Sequence, residues 1–238
     1  MRESTDIFIV GGGMVGASLA IALDASGRRA TLVEAAAPHA PARSSYDERN
    51  LALARATVNG LSVLGVWQHA QAATPITRLH VSRAGEFGAT RLSAHEAGVD
   101  ALGATLSARE LGDALEQRLQ QCRNITRLMP AKLESISIQT KREVLPHQPS
   151  ASLLSPSARR GEDRGPRARC DSNWRATIRI GSELREIETK LLVGADGSDS
   201  FVRAQVGITH DEHDYAQSLV VCTITPEPRS GRLCLRNV

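Results

Sequence analysis

Apolar and polar positions along this chain follow two periods in turn. Ile7 to Val10 is a short apolar run set between Asp6 and a cluster of glycines, the pattern of a buried strand. After the glycines, the stretch to Leu23 carries no charge and reads as a helix; a second apolar strand then ends in Glu34. A loop rich in Ala, Pro and His covers Ala35 to Ser45. Beyond Tyr46-Asp47-Glu48-Arg49-Asn50 the pattern from Leu51 to Leu64 is helical. Ile76 to Arg83 alternates as a strand, with Ala89 to Ser93 as its pairing partner. Ser107 precedes an amphipathic helix whose Leu111, Leu115 and Leu119 share one face, and its hydroxyl suits the N-cap. Lys132 to Thr140 reads as a strand with Ile136 and Ile138 on one side. Trp174, Ala176, Ile178 and Ile180 alternate as another, and Gly181-Ser182 turns the chain into a third that ends at Leu191-Leu192-Val193. Ser218 to Thr225 reads as a last strand.

One stretch breaks this order. Pro146 to Ser172 is rich in Pro, Ser and Arg and poor in apolar residues, so burial cannot offset its ordering entropy; the expectation is a disordered insertion. Its arginines, diluted by Glu162, Asp163 and Asp171, favour a solvated loop over a lipid or nucleic-acid contact.

The glycines carry the first chemistry. Gly11-x-Gly13-x-x-Gly16 lies between strand and helix, and Glu34 follows 23 residues after Gly11. A dinucleotide needs this order. Gly11 allows a tight turn, Gly13 lets a pyrophosphate approach the backbone, and Gly16 lets the helix pack close to the strand. The helix N-terminus offers N–H groups to phosphate, and an acid at about this spacing reaches a ribose hydroxyl pair. The competing reading is a glycine-rich turn without ligand. A secretory signal fits poorly, because Glu3 and Asp6 spoil its basic leader, and the apolar stretch is too short and glycine-rich for a membrane span.

Composition narrows the classes. The 238 residues are 41% hydrophobic, enough for a buried core in one large or two small domains. A net charge of +3 and 3% aromatic residues argue against nucleic acid as a partner. The four cysteines form no C-x-x-C pair, so no zinc site or disulfide framework is expected, and reduced thiols fit a cytoplasmic protein. His210 and His213 lie in an acidic run that reads as a solvated loop rather than a metal site.

A second motif follows the strand ending at Val193: Gly194-Ala195-Asp196-Gly197-Ser198-Asp199-Ser200-x-x-Arg203. It puts a carboxylate at a strand's carboxyl end, where ligands of open α/β sheets gather. Asp196 is read either as a ligand group or as a helix cap.

Four segments in this order, the glycine turn with Glu34, Asp47-x-Arg49, Ser107-Ala108-Arg109-x-Leu111 and the GADG turn, resemble the para-hydroxybenzoate hydroxylase-like FAD-dependent aromatic monooxygenases. YDERNLALARATVNGLSVLGVW, LSARELGDALEQRL and LLVGADGSDSFVRAQVGI are similar to the ubiquinone-biosynthesis branch. The resemblance runs from Asp6 to about Thr225 apart from the insertion. It implies an α/β fold: a Rossmann-like FAD-binding domain with an incomplete β-rich substrate domain. Residues 1–72 would be the first FAD-binding part, 73–99 substrate-domain strands, 100–216 the second FAD-binding part, and 217–238 a truncated return to the substrate domain.

The same resemblance implies FAD as cofactor, NAD(P)H as co-substrate, O2 as the oxygen source and a prenylated phenol as substrate. Gly11, Gly13 and Gly16 would hold the pyrophosphate, and Glu34 the adenosine ribose. Arg49 would lie near flavin and pyrophosphate, Arg109 would pair with phosphate, and Asp196 would accept from a ribose or ribityl hydroxyl. Surface salt bridges are the alternative for the arginines. Arg203 would brace the GADG turn. No catalytic acid or base is implied. A quinone-biosynthesis complex and a peripheral contact at the inner face of the cytoplasmic membrane are expected partners. Other flavin hydroxylases or halogenases of this fold, and a non-catalytic scaffold, are the competing functions. The family's third cofactor motif is not found, and from Pro226 the likeness fades. The expectation is therefore a fragment or frameshifted reading with weak FAD retention and no hydroxylase activity alone.

Overall fold

In the computed structural model, residues 3–37, 49–82, 87–140, 172–216 and 234–237 are described. The elements are β1 (Glu3–Val10), α1 (Met14–Asp24), β2 (Ala30–Val33), β3 (Asn50–Ala54), α2 (Arg55–Val63), β4 (Thr74–Ile76), β5 (Arg78–Ser82), β6 (Ala89–Ser93) and β7 (Gly103–Ser107). They continue with α3 (Ala108–Leu119), β8 (Ile125–Leu128), β9 (Lys132–Thr140), β10 (Ser172–Ile180), β11 (Glu183–Gly194), α4 (Phe201–Gln205) and β12 (Cys234–Asn237).

Six strands form the main sheet in the order β8-β2-β1-β11-β10-β9. The four strands β8, β2, β1 and β11 are parallel, and β10 and β9 extend the sheet as antiparallel ribbons. Phe8 and Ile9 are fully buried on opposite faces of β1, as expected of a strand covered on both sides. On one face Ile7, Ile9 and Leu32 meet α1 and α3 through Ala17, Ala20, Leu111 and Leu115. On the other, Phe8, Val10 and Val33 meet Leu133, Ala176, Ile178, Ile187 and Val202. The result is a mixed α/β architecture whose parallel strands all end on one side, at the glycine turn and the GADG turn.

The α3 start follows the sequence closely. The Ser107 hydroxyl accepts from the Glu110 N–H at 3.1 Å, and the Glu110 carboxylate accepts from the Ser107 N–H at 3.3 Å, a reciprocal capping box.

Two segments differ from the sequence reading. Leu51 to Leu64 is not one helix: Asn50–Ala54 is β3, paired antiparallel with β7 from Asn50↔Ser107 to Ala54↔Gly103, and α2 begins at Arg55. Strand pairing overrides the local helical pattern, and Gly103 makes it possible, since a Cβ there would collide with the Leu53 carbonyl. Ile76 to Arg83 is not one strand either. β4 pairs with β7 and β5 pairs with β6, so the chain changes sheets at Thr77. β6 is the expected partner of β5, in register from Arg78↔Ser93 to Ser82↔Ala89. β12 lies parallel to β5 on its other side. The expected insertion and the expected strand at Ser218–Thr225 lie outside the described residues, as does most of the Ala35–Ser45 loop.

Candidate functional site

Three strand ends converge on the glycine turn. The Gly11 N–H donates to the Val33 carbonyl at 2.8 Å, and the Ala195 N–H donates to the Val10 carbonyl at 2.7 Å, which ties β1 to β2 and to the GADG turn. Gly11 has φ +102°, a conformation side chains rarely adopt, and a Cβ there would strike the Ala195 carbonyl. A Cβ on Gly16 would strike the Gly11 carbonyl. Both glycines are thus dictated by close backbone approach. Gly13 is different: a Cβ there would meet nothing within 4 Å. It serves as N-cap of α1 with no side chain bonded to the helix end and no acid in the first turn. That end has no side-chain cap, which suits an anion.

Glu34 completes this side. Its Oε2 accepts from the Gly12 N–H at 2.7 Å and its Oε1 from the Ala36 N–H at 2.9 Å. The carboxylate therefore ties the end of β2 to the glycine turn. On the far side, Asp196 Oδ1 accepts from the Ser200 hydroxyl at 2.6 Å, and Oδ2 from the Val202 N–H at 3.0 Å. Burial alone would raise this carboxyl's pKa, but the bonds from Ser200 and Val202 outweigh it and hold Asp196 below the ordinary carboxylate value. Arg203 Nη2 donates to the Ser198 carbonyl at 2.7 Å, bracing the turn as expected.

These groups share a cleft of about 330 Å³ lined by Gly11, Gly13, Glu34, Ala131, Asp196 and Gly197. Arg49 and Arg109 stand outside its lining. They lie close to each other along the backbone, because the Ala108 N–H donates to the Arg49 carbonyl at 2.9 Å where β3 meets the start of α3. Gly11, Gly13, Glu34 and Asp196 are therefore one wall system with Gly16 beneath it, and the two arginines are a second group at the α3 N-terminus.

Sequence reasoning missed Ser200, which caps α4 by accepting from the Arg203 N–H at 3.0 Å while donating to Asp196. Its signal was present as a serine just before an apolar helical turn. It also missed a second cavity of about 790 Å³ that adjoins the first at Ala195, Asp196 and Gly197, with Val15, Trp174, Leu192, Val202 and Ile208 among its other walls. Nothing in the local pattern joins Val15 to Trp174. Among the described residues, no three His, Cys, Asp or Glu side chains converge as a metal site.

The residues present fit the adenosine diphosphate end of a dinucleotide. The open cradle over Gly13, the uncapped helix end and the carboxylate of Glu34 face one cleft. Over 234 residues the chain is 30% identical to 3-demethoxyubiquinol 3-hydroxylase of Escherichia coli, covering 97% of this chain and 51% of that protein. It is 32% identical to the ubiquinone hydroxylase UbiL of Rhodospirillum rubrum, over 96% of this chain and 45% of that protein. The chain spans about half the length of these curated relatives. Among solved structures, p-nitrophenol 4-monooxygenase PnpA of Pseudomonas putida superposes with a TM-score of 0.64 at 19% identity, over 88% of this chain and 45% of that one. The flavin-dependent monooxygenase PieE, solved with FAD and substrate, superposes at 0.59 with 19% identity, over 87% of this chain and 33% of that one. At these identities the structural likeness establishes the fold. The FAD binding domain family matches residues 4–232, nearly the whole chain, and the chain belongs to that family.

Proposed function

We propose that this chain forms the cofactor-binding part of an FAD-dependent aromatic-ring monooxygenase of the ubiquinone-hydroxylase type. The substrate class is a prenylated phenol, with NAD(P)H as reductant and O2 as oxygen source. The observation that carries the reading is the shared cleft: Gly13 opens the α1 N-terminus to a pyrophosphate while Glu34 and Asp196 flank it. When bound, FAD supplies the redox and oxygen-transfer chemistry. The chain's own residues bind and orient. Gly11 and Gly16 bring the turn, helix and strand together, and the α1 amides neutralise phosphate charge. Glu34 accepts from the adenosine ribose. Asp196 offers the same to a ribose or ribityl hydroxyl, and Arg49 and Arg109 give the phosphates and the flavin side positive charge from the α3 end.

The relatives' names support the ubiquinone setting. Two ring positions are candidates: the one named for the Escherichia coli relative, and that of 2-octaprenyl-6-methoxyphenol hydroxylase, which the Tyr46–Trp67, Leu106–Leu119 and Leu191–Ile208 segments together resemble. No helix among the described residues is long and apolar enough to cross a membrane. A peripheral contact or a quinone-biosynthesis complex would bring an apolar phenol to the site. A second reading is a nucleotide-binding scaffold without hydroxylase activity.

The deciding experiment adds FAD to the purified chain and follows the visible flavin band and its fluorescence. Saturable binding, competed by ADP and lost in Gly13→Asp, is the expected result. Binding that ADP does not compete, or that survives Gly13→Asp, would overturn the assignment of the cleft. Oxygenated product from prenylated phenols and NAD(P)H would separate the enzyme from the scaffold.

A further inference from the structure

The N-terminal ends of α1 and α3 are built in opposite ways. That of α1 has no side-chain cap and no acid in its first turn. That of α3 is closed by its own residues. The Ser107 hydroxyl accepts from the Glu110 N–H at 3.1 Å, and the Glu110 carboxylate accepts from both the Ser107 N–H and the Ser107 hydroxyl at 3.3 Å. This box occupies amides that would otherwise be offered to an anion, and it sets a carboxylate beside them. Positive charge given to a phosphate from this corner therefore comes chiefly from side chains.

Arg49 and Arg109 are those side chains, and one corner holds both. β7 runs into α3 without a loop, so Ser107 is at once the last residue of the strand and the N-cap of the helix, at φ −71° and ψ 152°. Ala108 extends the β3–β7 register by one step, its N–H donating to the Arg49 carbonyl at 2.9 Å. The consecutive amides of Ser107 and Ala108 thus go to the Glu110 carboxylate and to Arg49. Leu106, Ser107 and Ala108 are buried, whereas Arg49 and Arg109 are exposed. A buried, hydrogen-bonded corner carries two exposed cationic residues. Arginine side chains lose much rotamer freedom when they hold a ligand, so an anchored backbone lowers the entropy their contacts must overcome.

We infer that Glu110, acting with Ser107, is a positioning residue for the cofactor phosphates: its carboxylate fixes the strand–helix corner from which Arg49 and Arg109 reach them. This role rests on the cofactor reading, which puts the two arginines at the phosphate and flavin side. Loss of the box frees Ser107 and the first turn of α3, which contains Arg109, and loosens the amide that holds Arg49. A glutamine keeps the box, because its amide oxygen accepts from the Ser107 N–H as the carboxylate does. The negative charge of Glu110 itself opposes phosphate binding, so the effects of position and of charge separate by substitution.

Calorimetric titrations of the full chain with ADP and with AMP test this role. Ser107→Ala and Glu110→Ala are expected to weaken ADP about fivefold, the size of a lost helix cap, while AMP, which lacks the second phosphate, changes by less than about twofold. Glu110→Gln should hold ADP within about twofold of the parent, or tighter, since the box stays and a negative charge goes. On an Arg109→Gln background, Glu110→Ala should weaken ADP by less than about twofold, because the arginine it positions is gone. Ser107→Ala removes one oxygen atom and Glu110 is half-buried, so both variants are expected to fold, checked by circular dichroism; if one unfolds, the other carries the same comparison. Lower stability alone shifts ADP and AMP together and does not depend on Arg109, so it cannot produce this pattern. Equal losses for ADP and AMP, no loss in Ser107→Ala and Glu110→Ala, Glu110→Gln as weak as Glu110→Ala, or an undiminished effect without Arg109 would each overturn the inference. Where the parent binds ADP and Gly13→Asp does not, while the box variants match the parent, the positioning role alone fails. A parent that binds no ADP sinks the cofactor reading and this role with it.

Discussion

Gly11 and Gly13 stand two residues apart and do different work. Gly11 is held at φ +102° against the Ala195 carbonyl, so its lack of a side chain serves the fold. Alanine there carries about 1–3 kcal/mol of backbone strain before the collision is counted. Gly13 faces open space, so the proposal assigns its lack of a side chain to a ligand. Urea unfolding should show Gly11→Ala strongly destabilised and Gly13→Ala close to the parent. Titration with ADP should show the reverse for binding, with Gly13→Ala weakened by about tenfold, equivalent to 1.4 kcal/mol. Equal losses of stability in the two variants would sink the distinction. The sequence identifies both glycines through one motif, because spacing reports that glycine is needed. It cannot report whether backbone or ligand occupies the space, which is settled by contacts with Ala195, far along the chain.

At the scale of elements, α4 depends on a carboxylate that the motif alone leaves ambiguous. Asp196 both lines the cleft and holds the N-terminal end of α4 through Ser200 and Val202. Its lowered pKa fixes the sign of its pH dependence. A depressed carboxylate contributes stability that is fully present above its unfolded value, about 4, and is lost as the pH falls through the lower folded value. Asp196→Ala should therefore cost about 1–2 kcal/mol near neutrality, as for other lost caps. That cost should shrink towards zero as the pH drops below about 4. Urea midpoints of both proteins across this range check the point, and a pH-independent difference would remove the carboxylate from the account. Legibility of the elements followed the same logic. α3 was legible because Ser107, Glu110 and the leucines act within one helix. β3 was not, because Asn50–Ala54 becomes a strand only through β7, whose residues lie about fifty positions away. The Asp24 carboxylate, which accepts from the Arg123 and Asn124 N–H groups and ties the end of α1 to the loop after α3, was equally invisible.

Across the whole molecule, the described residues build the two ends of a cofactor site unequally. The adenosine diphosphate end has a defined cleft with a glycine cradle, an uncapped helix end and two carboxylates. Arg49 and Arg109 lie outside that lining, and the larger, more open cavity adjoining it at Asp196 and Gly197 is walled mainly by apolar side chains such as Trp174, Leu192 and Ile208. Binding free energy from this chain should therefore come mainly from the adenosine and pyrophosphate groups. Affinity depends on enclosed, well-matched contacts rather than on ligand size, so the ring end of FAD adds little where walls are few. Calorimetric titration of the purified chain should give ADP and FAD dissociation constants within about tenfold of each other, a difference below 1.4 kcal/mol. FMN, which lacks the adenosine half, should bind far more weakly than either. FAD binding about a hundredfold tighter than ADP would mean that these residues already enclose the flavin ring, and the unequal division of the site would be wrong.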